Sequence, residues 1–176
     1  SHGKVLGEGS SGPANVTVDP QRARASVTAA ATAAARAAGL GDDGLRRCHA
    51  GIGLAGVGGA EARQRLASSW DDFASIEVAT DAYIAWLGAH DGEDGAVVIL
   101  GTGSIGYGQI EGRRHAVGGW GPLVSDEASG YAIGLSALRR AIWAADGRLA
   151  TTPLADAVLS TVGGSAAVAA FARGAE

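Results

Sequence analysis

A short turn rich in glycine and hydroxyl side chains follows an apolar run at residues 96–100, and it has the composition of a phosphate-binding loop. The turn consists of Gly101, Thr102, Gly103 and Ser104. Glycine lets the main chain approach a phosphate closely and adopt positive φ, while backbone N–H groups and the two hydroxyls can donate to its oxygens. The apolar run predicts a buried strand, and residues 105–110 predict the returning strand. An ordinary glycine hairpin is the alternative.

A second polar group lies downstream, where Trp120 stands among glycines and Asp126 and Glu127 precede a helical pattern. An indole on a glycine-rich loop suits stacking against the apolar face of a sugar, with its N–H free to donate. The alternative for Trp120 is a core anchor. For Asp126 the local pattern offers the role of N-cap of the following helix, with Glu127 favourable in the first turn.

A carboxylate at the end of a predicted strand is the candidate general base. Residues 76–79 form a short run that ends in Thr80 and Asp81 and leads into a helical pattern. Sheets of α/β proteins bind ligands beyond the carboxyl ends of their strands, so Asp81 is expected in a ligand crevice. There it would accept the proton of a hydroxyl that attacks a γ-phosphorus. A purely structural N-cap is the alternative.

The chain around these residues alternates between strand and helix patterns, which predicts an α/β fold. Strands are expected at residues 4–9, 48–57 and 76–79, and a hairpin over residues 96–110. Helices are expected at about residues 20–38, 60–70, 81–89, 127–145, 154–161 and 165–173. Asp19 followed by Pro20 predicts the N-cap and first residue of the first long helix. The glycine-rich residues 53–59 lack the full dinucleotide-binding pattern and predict a strand-to-helix connection.

Composition limits the classes of protein to which the chain can belong. It has 176 residues, 47% of them hydrophobic, and a net charge of −4, which suits a globular protein with a substantial core. The arginines are dispersed, so no nucleic-acid partner is expected. No run approaches about 18 apolar residues, so no membrane partner is expected. The single cysteine, Cys48, excludes a disulfide framework and favours the cytoplasm. His49, His90 and His115 lack metal-ligand spacing, so no metal site is expected.

Three motifs, taken in their order and spacing, resemble one protein family. They are GTGS at residues 101–104, GGWG at residues 118–121 and DEASGY at residues 126–131. They resemble the N-acetylglucosamine kinase branch of the BadF/BadG/BcrA/BcrD-type ATPases, within the sugar kinase, Hsp70 and actin superfamily. The likeness covers roughly residues 5–147. It implies an α/β, ribonuclease H-like (actin-like) ATPase fold, with residues 1–94 in the N-terminal lobe and residues 95–176 at the start of the C-terminal lobe.

The resemblance also implies a role for each candidate residue. Asp81 matches the position of the catalytic aspartate. The ATP phosphates would be contacted by the turn, that is by Gly101, Thr102, Gly103 and Ser104. The sugar would be contacted by Gly119, Trp120, Asp126 and, from a loop near the start of the chain, Asn15. ATP and Mg²⁺ would be the cofactors.

The sequence departs from this family at both ends. The first phosphate loop of the family, of the DGGGT kind, carries an aspartate that helps to hold Mg²⁺, and this sequence has no such loop. It also ends before the glycines with which the family binds adenosine. We therefore expect a fragment that is a poor kinase by itself. An incomplete lobe would expose a sheet edge or core and so favour a homodimer.

Three functions remain open at this point. The first is a kinase that phosphorylates N-acetylglucosamine or a related amino sugar at its 6-hydroxyl. The second is an ATPase activator of a radical dehydratase or reductase, which the single Cys48 disfavours because such activators hold an iron–sulfur cluster through cysteines. The third is a non-catalytic sugar sensor. Sensors of the related repressor type carry a helix-turn-helix segment, and none is found before Val5 in this sequence. The choice among N-acetylglucosamine, glucosamine and another hexose is left open by the sequence.

Overall fold

The computed structural model describes residues 3–41 and 43–174 of the chain. The protein divides into two compact units, Ser1–Gly95 and Ala96–Glu176, and each is described by itself.

The first unit is built on two parallel strands. β1 (His49–Leu54) pairs with β2 (Ser75–Thr80) in a register that sets Leu54 opposite Thr80. The helices of this unit are α1 (Pro20–Ala37), α2 (Ala60–Ser68) and α3 (Asp81–His90), with a short 3-10 helix at Gly44–Arg47. Parallel strands require a crossover connection, and α2 lies in the one between β1 and β2. The carboxyl ends of both strands therefore lie at one edge, where α3 begins.

The core of the first unit lies on β1. Ile52 and Leu54 are buried together with Trp70, which follows α2. Between them, Gly53 lies directly against the side chain of Ile84 on α3, so a larger residue at position 53 would collide with that helix. Gly53 thus allows α3 to pack closely against β1. The strand-to-helix connection predicted for residues 53–59 is confirmed, since β1 ends at Leu54 and α2 begins at Ala60.

The strand predicted at residues 4–9 is wrong, since these residues have no regular secondary structure. Val5 and Leu6 are largely exposed, at 70% and 67%. Gly7 and Gly9 lie directly against the backbone of α1, at Ala34 and Ala30. The apolar pattern therefore reflects a segment that lies along a helix and pairs with no strand among the described residues.

The second unit contains a three-stranded sheet. Its strands are β3 (Gly95–Leu100), β4 (Ser104–Ile110) and β5 (Arg113–Gly118), in the order β3-β4-β5. The predicted hairpin of β3 and β4 is thus confirmed, whereas β5 was not predicted. β5 is antiparallel to β4, and the two-residue turn between them places Glu111 and Gly112 at φ 49° and 73°. The strand was missed because it begins with the polar run Arg-Arg-His and its residues are mostly exposed.

Helices complete the second unit: α4 (Gly130–Ala145), α5 (Pro153–Thr161), a 3-10 helix (Ser165–Ala167) and α6 (Val168–Gly174). α4 and α5 pack through the buried small residues Ala141, Ala144 and Ala155. The predicted start of α4 at Glu127 is wrong. Asp126 and Ala128 have φ values of 65° and 59°, in the left-handed region, so the helix starts only at Gly130.

Other predicted helix boundaries are confirmed. Asp19 caps α1 by accepting a hydrogen bond from the Arg22 N–H at 2.9 Å, and Pro20 is the first helical residue. α3 begins at Asp81 as expected. Within the described ranges, no single helix has the length and apolar character needed to cross a membrane; α5 and Ser165–Arg173, a pair bent by 49°, meet those criteria together by length and composition alone.

Candidate active site

The glycine turn between β3 and β4 is held by the start of α4. The Gly101 N–H bonds the Gly103 carbonyl at 2.9 Å and closes the turn. The Gly130 N–H donates to the Gly101 carbonyl at 2.8 Å, and the Tyr131 N–H donates to the Thr102 carbonyl at 3.1 Å. The first N–H groups of a helix have no partner within the helix, and here the turn supplies their acceptors. The turn is therefore fixed to α4 through its carbonyls.

Asp126 holds the same turn from the other side. Its Oδ1 accepts a hydrogen bond from the Ser104 N–H at 3.1 Å, and the residue is only 7% exposed. The alternative role of Asp126 as N-cap is wrong, because Ser129 caps α4 with its hydroxyl, which accepts from the Ala132 N–H at 3.1 Å. A serine before a helical pattern is an N-cap signal, so the sequence could have identified Ser129.

Two backbone donors of the turn are left without a protein acceptor. The N–H groups of Gly101 and Ser104 are bonded, but within residues 3–41 and 43–174 those of Thr102 and Gly103 have none. Thr102 is also exposed. Adjacent free N–H groups beside a hydroxyl fit an anion such as a phosphate. The turn thus has the donors that a phosphate requires, although it is also the hairpin connection of the alternative interpretation.

The reason for glycine in this turn differs from the prediction. Neither Gly101 nor Gly103 has positive φ. A Cβ on Gly103 would lie 3.0 and 3.1 Å from the two carboxylate oxygens of Asp126, whereas one on Gly101 would meet nothing within 4 Å. Glycine at position 103 is therefore favoured by the close approach of a side chain, which would have to shift by a few tenths of an ångström to admit a Cβ.

Trp120 lies on a loop whose backbone conformation favours glycine. Gly118, Gly119 and Gly121 around it have φ values of 78°, 73° and 90°. Trp120 is 79% exposed, so the core-anchor alternative is wrong. A Cβ on Gly119 would also lie 2.7 Å from the Ile105 side chain.

The Trp120 ring borders an open cleft of about 410 Å³ in the second unit. Its polar lining comes from Ser104, Ser125 and Glu127, and Ser125 donates its hydroxyl to Glu127 at 3.3 Å. The rest of the lining is apolar or glycine: Val98, Leu100, Ile105, Gly106, Val117, Gly118 and Val124. Such a cleft lies in the size range of small-molecule sites and combines an aromatic ring with a few polar groups. Ser125 was not predicted as a lining residue, since an isolated serine carries no signal.

Asp81 lies in the first unit, directly after β2, and it is exposed. The N-cap alternative for Asp81 is wrong, because Thr80 caps α3 by accepting from the Tyr83 N–H at 3.1 Å. Asp81 is the first helical residue, and its Oδ1 accepts from the Ala82 N–H at 2.9 Å. The cap is thus provided by its neighbour, and the Asp81 carboxylate keeps acceptor capacity toward solvent.

Asn15 lies at the same sheet edge as Asp81. It forms a parallel bridge with Ala55, the residue after β1, while Thr80 stands opposite Leu54 on the other side of that strand. The Asn15 Oδ1 accepts from the N–H groups of Thr17 and Val18, at 2.9 and 3.2 Å. Its amide nitrogen has no acceptor in the described part of the chain. Asn15 can therefore donate to a ligand but has its acceptor occupied.

The residues do not provide a metal centre of their own. Across residues 3–41 and 43–174, no group of three or more His, Cys, Asp or Glu side chains could hold an ion. Mg²⁺ is commonly bound through substrate phosphates and only one or two carboxylates.

Comparison with known proteins identifies the family. The model of the BadF/BadG/BcrA/BcrD ATPase family matches residues 1–174. The chain is 41% identical over 158 residues to the glucosamine kinase GspK of Vibrio cholerae, covering 90% of the chain and 54% of that protein. It is 41% identical over 117 residues to an N-acetylmuramic acid/N-acetylglucosamine kinase of Clostridium acetobutylicum, covering 62% and 38%. The chain thus spans about half the length of these relatives, or less.

The fold agrees with a solved structure. The crystal structure of a candidate N-acetylglucosamine kinase from Chromobacterium violaceum superposes with a TM-score of 0.86 at 36% identity, covering 94% of this chain and 59% of that one. The predicted α/β fold of the actin-like ATPases is confirmed. With a family model that matches almost its whole length, the chain belongs to the BadF/BadG/BcrA/BcrD ATPase family.

Proposed function

We propose that the protein is an ATP-dependent kinase that phosphorylates an amino sugar at its 6-hydroxyl, with N-acetylglucosamine as the first substrate to test. The observation that carries the proposal is the turn at residues 101–104, where the N–H groups of Thr102 and Gly103 have no acceptor among the described residues and a cleft begins at Ser104. The sugar-kinase names of the relatives support it.

The phosphate contacts are assigned to the turn. The N–H groups of Thr102 and Gly103 and the Thr102 hydroxyl would donate to the β- and γ-phosphate oxygens of ATP, where Gly101 leaves room for close approach. Such donors stabilise the negative charge that is redistributed as the phosphoryl group is transferred. Mg²⁺ would accompany the phosphates.

Sugar contacts are assigned to two sets of residues. In the second unit, Trp120 would stack on the apolar face of the ring, Gly119 would shape the loop, and Asp126 would accept from a hydroxyl through the lone pairs that Ser104 leaves free. In the first unit, the Asn15 amide nitrogen would donate to a hydroxyl oxygen.

Asp81 is the proposed general base. Its carboxylate would accept the proton of the 6-hydroxyl while that oxygen forms a bond to the γ-phosphorus. The bond between the γ-phosphorus and the oxygen shared with the β-phosphate breaks, and ADP leaves with the electron pair. An exposed carboxylate at the carboxyl edge of a parallel sheet, with acceptor capacity beyond its bond from the Ala82 N–H, supports this role.

We also propose that the protein acts in the cytoplasm, where ATP is available. We further propose that it forms a homodimer. β3 and β5 are the edge strands of the three-stranded sheet, and an edge strand of a second copy would pair with one of them. Sedimentation velocity tests the dimer. A single species of monomer mass at tens of micromolar would contradict it.

ADP release, coupled to an optical readout, tests the kinase. It should be measured with N-acetylglucosamine, glucosamine, N-acetylmuramic acid and glucose, on this chain and on any longer product of the same gene. Sugar-dependent ADP release, with a 6-phosphate product identified by NMR, is the expected result. ADP release at the same rate with and without each sugar would instead indicate an ATPase activator. Sugar binding without any ADP release would indicate a sensor.

A further inference from the structure

The carboxylate of Asp126 lies against the turn at residues 101–104. Its Oδ1 accepts from the Ser104 N–H at 3.1 Å, and both oxygens lie within 3.0 to 3.1 Å of the position that a Cβ on Gly103 would take. Asp126 therefore contacts the last two residues of the turn.

The backbone conformation of Asp126 is unfavourable by itself, so the surrounding structure must maintain it together with the contact to the turn. Asp126 adopts φ 65°, which residues other than glycine rarely adopt, and it is 7% exposed. A buried carboxylate is unfavourable unless it accepts hydrogen bonds, and a bond from an N–H to a charged acceptor is stronger than one between neutral groups. The Ser104 N–H supplies that bond.

Asp126 contacts the turn, and the residues on either side of it in sequence line the cleft. Its neighbours in sequence, Ser125 and Glu127, both line the cleft beside Trp120. Ser104, whose N–H it accepts, lines the same cleft. By charge alone, a carboxylate next to a phosphate would weaken phosphate binding. A favourable contribution of Asp126 to the turn must therefore come from geometry.

We propose that Asp126 is a positioning residue for phosphate binding. By accepting the hydrogen bond from the Ser104 N–H, it fixes the last residue of the turn. The N–H groups of Thr102 and Gly103 then remain as the donors to phosphate. This role is distinct from the sugar contact assigned above, and it rests on the proposal that the turn binds phosphate.

Two substitutions at position 126 separate geometry from charge. Asp126→Asn removes the charge but keeps an oxygen acceptor for Ser104, whereas Asp126→Ala removes both. Inorganic tripolyphosphate serves as the probe, titrated into the ¹⁵N-labelled chain and followed at the Thr102 and Gly103 amides. We expect Asp126→Asn to bind it as tightly as the unsubstituted chain or more tightly, and Asp126→Ala to bind it about tenfold more weakly.

Hydrogen exchange of the Ser104 amide gives a readout that does not depend on binding. Protection should persist in Asp126→Asn and fall about tenfold or more in Asp126→Ala. If Asp126→Ala binds tripolyphosphate as tightly as Asp126→Asn does, or if its Ser104 amide stays protected, the positioning role is overturned while phosphate binding by the turn stands. If the unsubstituted chain shows no binding, the phosphate assignment fails, and the positioning role fails with it.

A glycine pair provides a matched test that leaves the charge in place. Gly103→Ala puts a methyl group against the Asp126 carboxylate, whereas Gly101→Ala meets nothing within 4 Å. Gly103→Ala should reduce Ser104 amide protection as Asp126→Ala does, and Gly101→Ala should retain it. Equal protection in the two glycine variants would contradict the proposal.

Discussion

Ser104 donates its backbone N–H to the Oδ1 of Asp126 at 3.1 Å, so the residue that ends the glycine turn is bonded to a carboxylate 22 positions further along the chain. The turn is therefore held on one side by this side chain and on the other by the first N–H groups of α4. Hydrogen bonds from residues distant in sequence therefore fix the conformation of this turn, in addition to the one bond within it, from the Gly101 N–H to the Gly103 carbonyl.

The first prediction concerns the proposed base. Asp81→Asn should lower kcat by about 10²–10⁴ while the affinity for sugar changes only a few fold, since base catalysis contributes about that factor. Asparagine can still accept from the Ala82 N–H, so α3 should remain intact. Steady-state kinetics and sugar calorimetry provide the measurement. Asp156→Asn is a matched control, because Asp156 is also an exposed aspartate in the first turn of a helix. A kcat near that of the unsubstituted protein would remove Asp81 from the role.

The second prediction concerns the hydroxyl of the turn. Thr102→Val keeps the shape of the side chain but deletes a donor to phosphate, so ATP turnover should fall by about tenfold while sugar binding persists. Thr102→Ser restores the hydroxyl and should recover most of the activity. ATP kinetics that are the same in all three proteins would make the turn a structural hairpin only.

The third prediction compares an exposed tryptophan, Trp120, with a buried one, Trp70. Trp120→Ala should leave the free energy of unfolding within about 0.5 kcal/mol, because the ring is 79% exposed. It should weaken sugar binding by about tenfold through the lost stacking surface. Trp70→Ala should instead cost about 3–5 kcal/mol, because Trp70 is 7% exposed within the core. Urea denaturation and sugar calorimetry measure both effects. Unaltered sugar affinity in Trp120→Ala would argue against the cleft as the sugar site.

The fourth prediction concerns the cap of α4. Ser129→Ala deletes the hydroxyl that accepts from the Ala132 N–H and should lower the free energy of unfolding by about 1 kcal/mol. Ser136→Ala, at an exposed position of the same helix, is the control and should be neutral or slightly stabilising. Thermal unfolding followed by circular dichroism gives the comparison. Should both variants unfold at the same temperature, the cap would contribute nothing measurable.

The fifth prediction concerns acid stability. The Arg24 guanidinium, through its hydrogen bond, lowers the pKa of the Asp71 carboxyl below its usual value. A carboxyl whose pKa is lower in the folded state stabilises the fold above its unfolded pKa, and this contribution is lost as pH falls through the folded pKa. Arg24→Met should therefore reduce stability at neutral pH and flatten the decline below about pH 4.

Urea unfolding as a function of pH measures this effect, and added salt should diminish it because the pair is exposed. The control is Arg65→Met, which removes the longer and more exposed ion pair with Glu61. Identical pH profiles for the two variants would show that the Arg24 pair has no special part in acid stability.

The sequence by itself determined the features that depend on neighbouring residues. Asp19 and Pro20 predict the start of α1, because a cap and a fixed φ act within one turn of helix. The apolar run before residue 101 and the glycines after it predict the hairpin of β3 and β4 for the same reason. The three motifs also identified the family and its actin-like fold.

Only the tertiary structure decided the features that depend on residues distant in sequence. Residues 4–9 have a strand-like pattern, yet they lie along α1 and pair with no strand among the described residues, because pairing depends on contacts that a local pattern does not contain. Local pattern offered the N-cap of α4 as the alternative role of Asp126, but the Asp126 backbone is left-handed and the Ser129 hydroxyl provides the cap. The Asp126 carboxylate also approaches Gly103 closely and so favours glycine there, a contact that no local pattern contains.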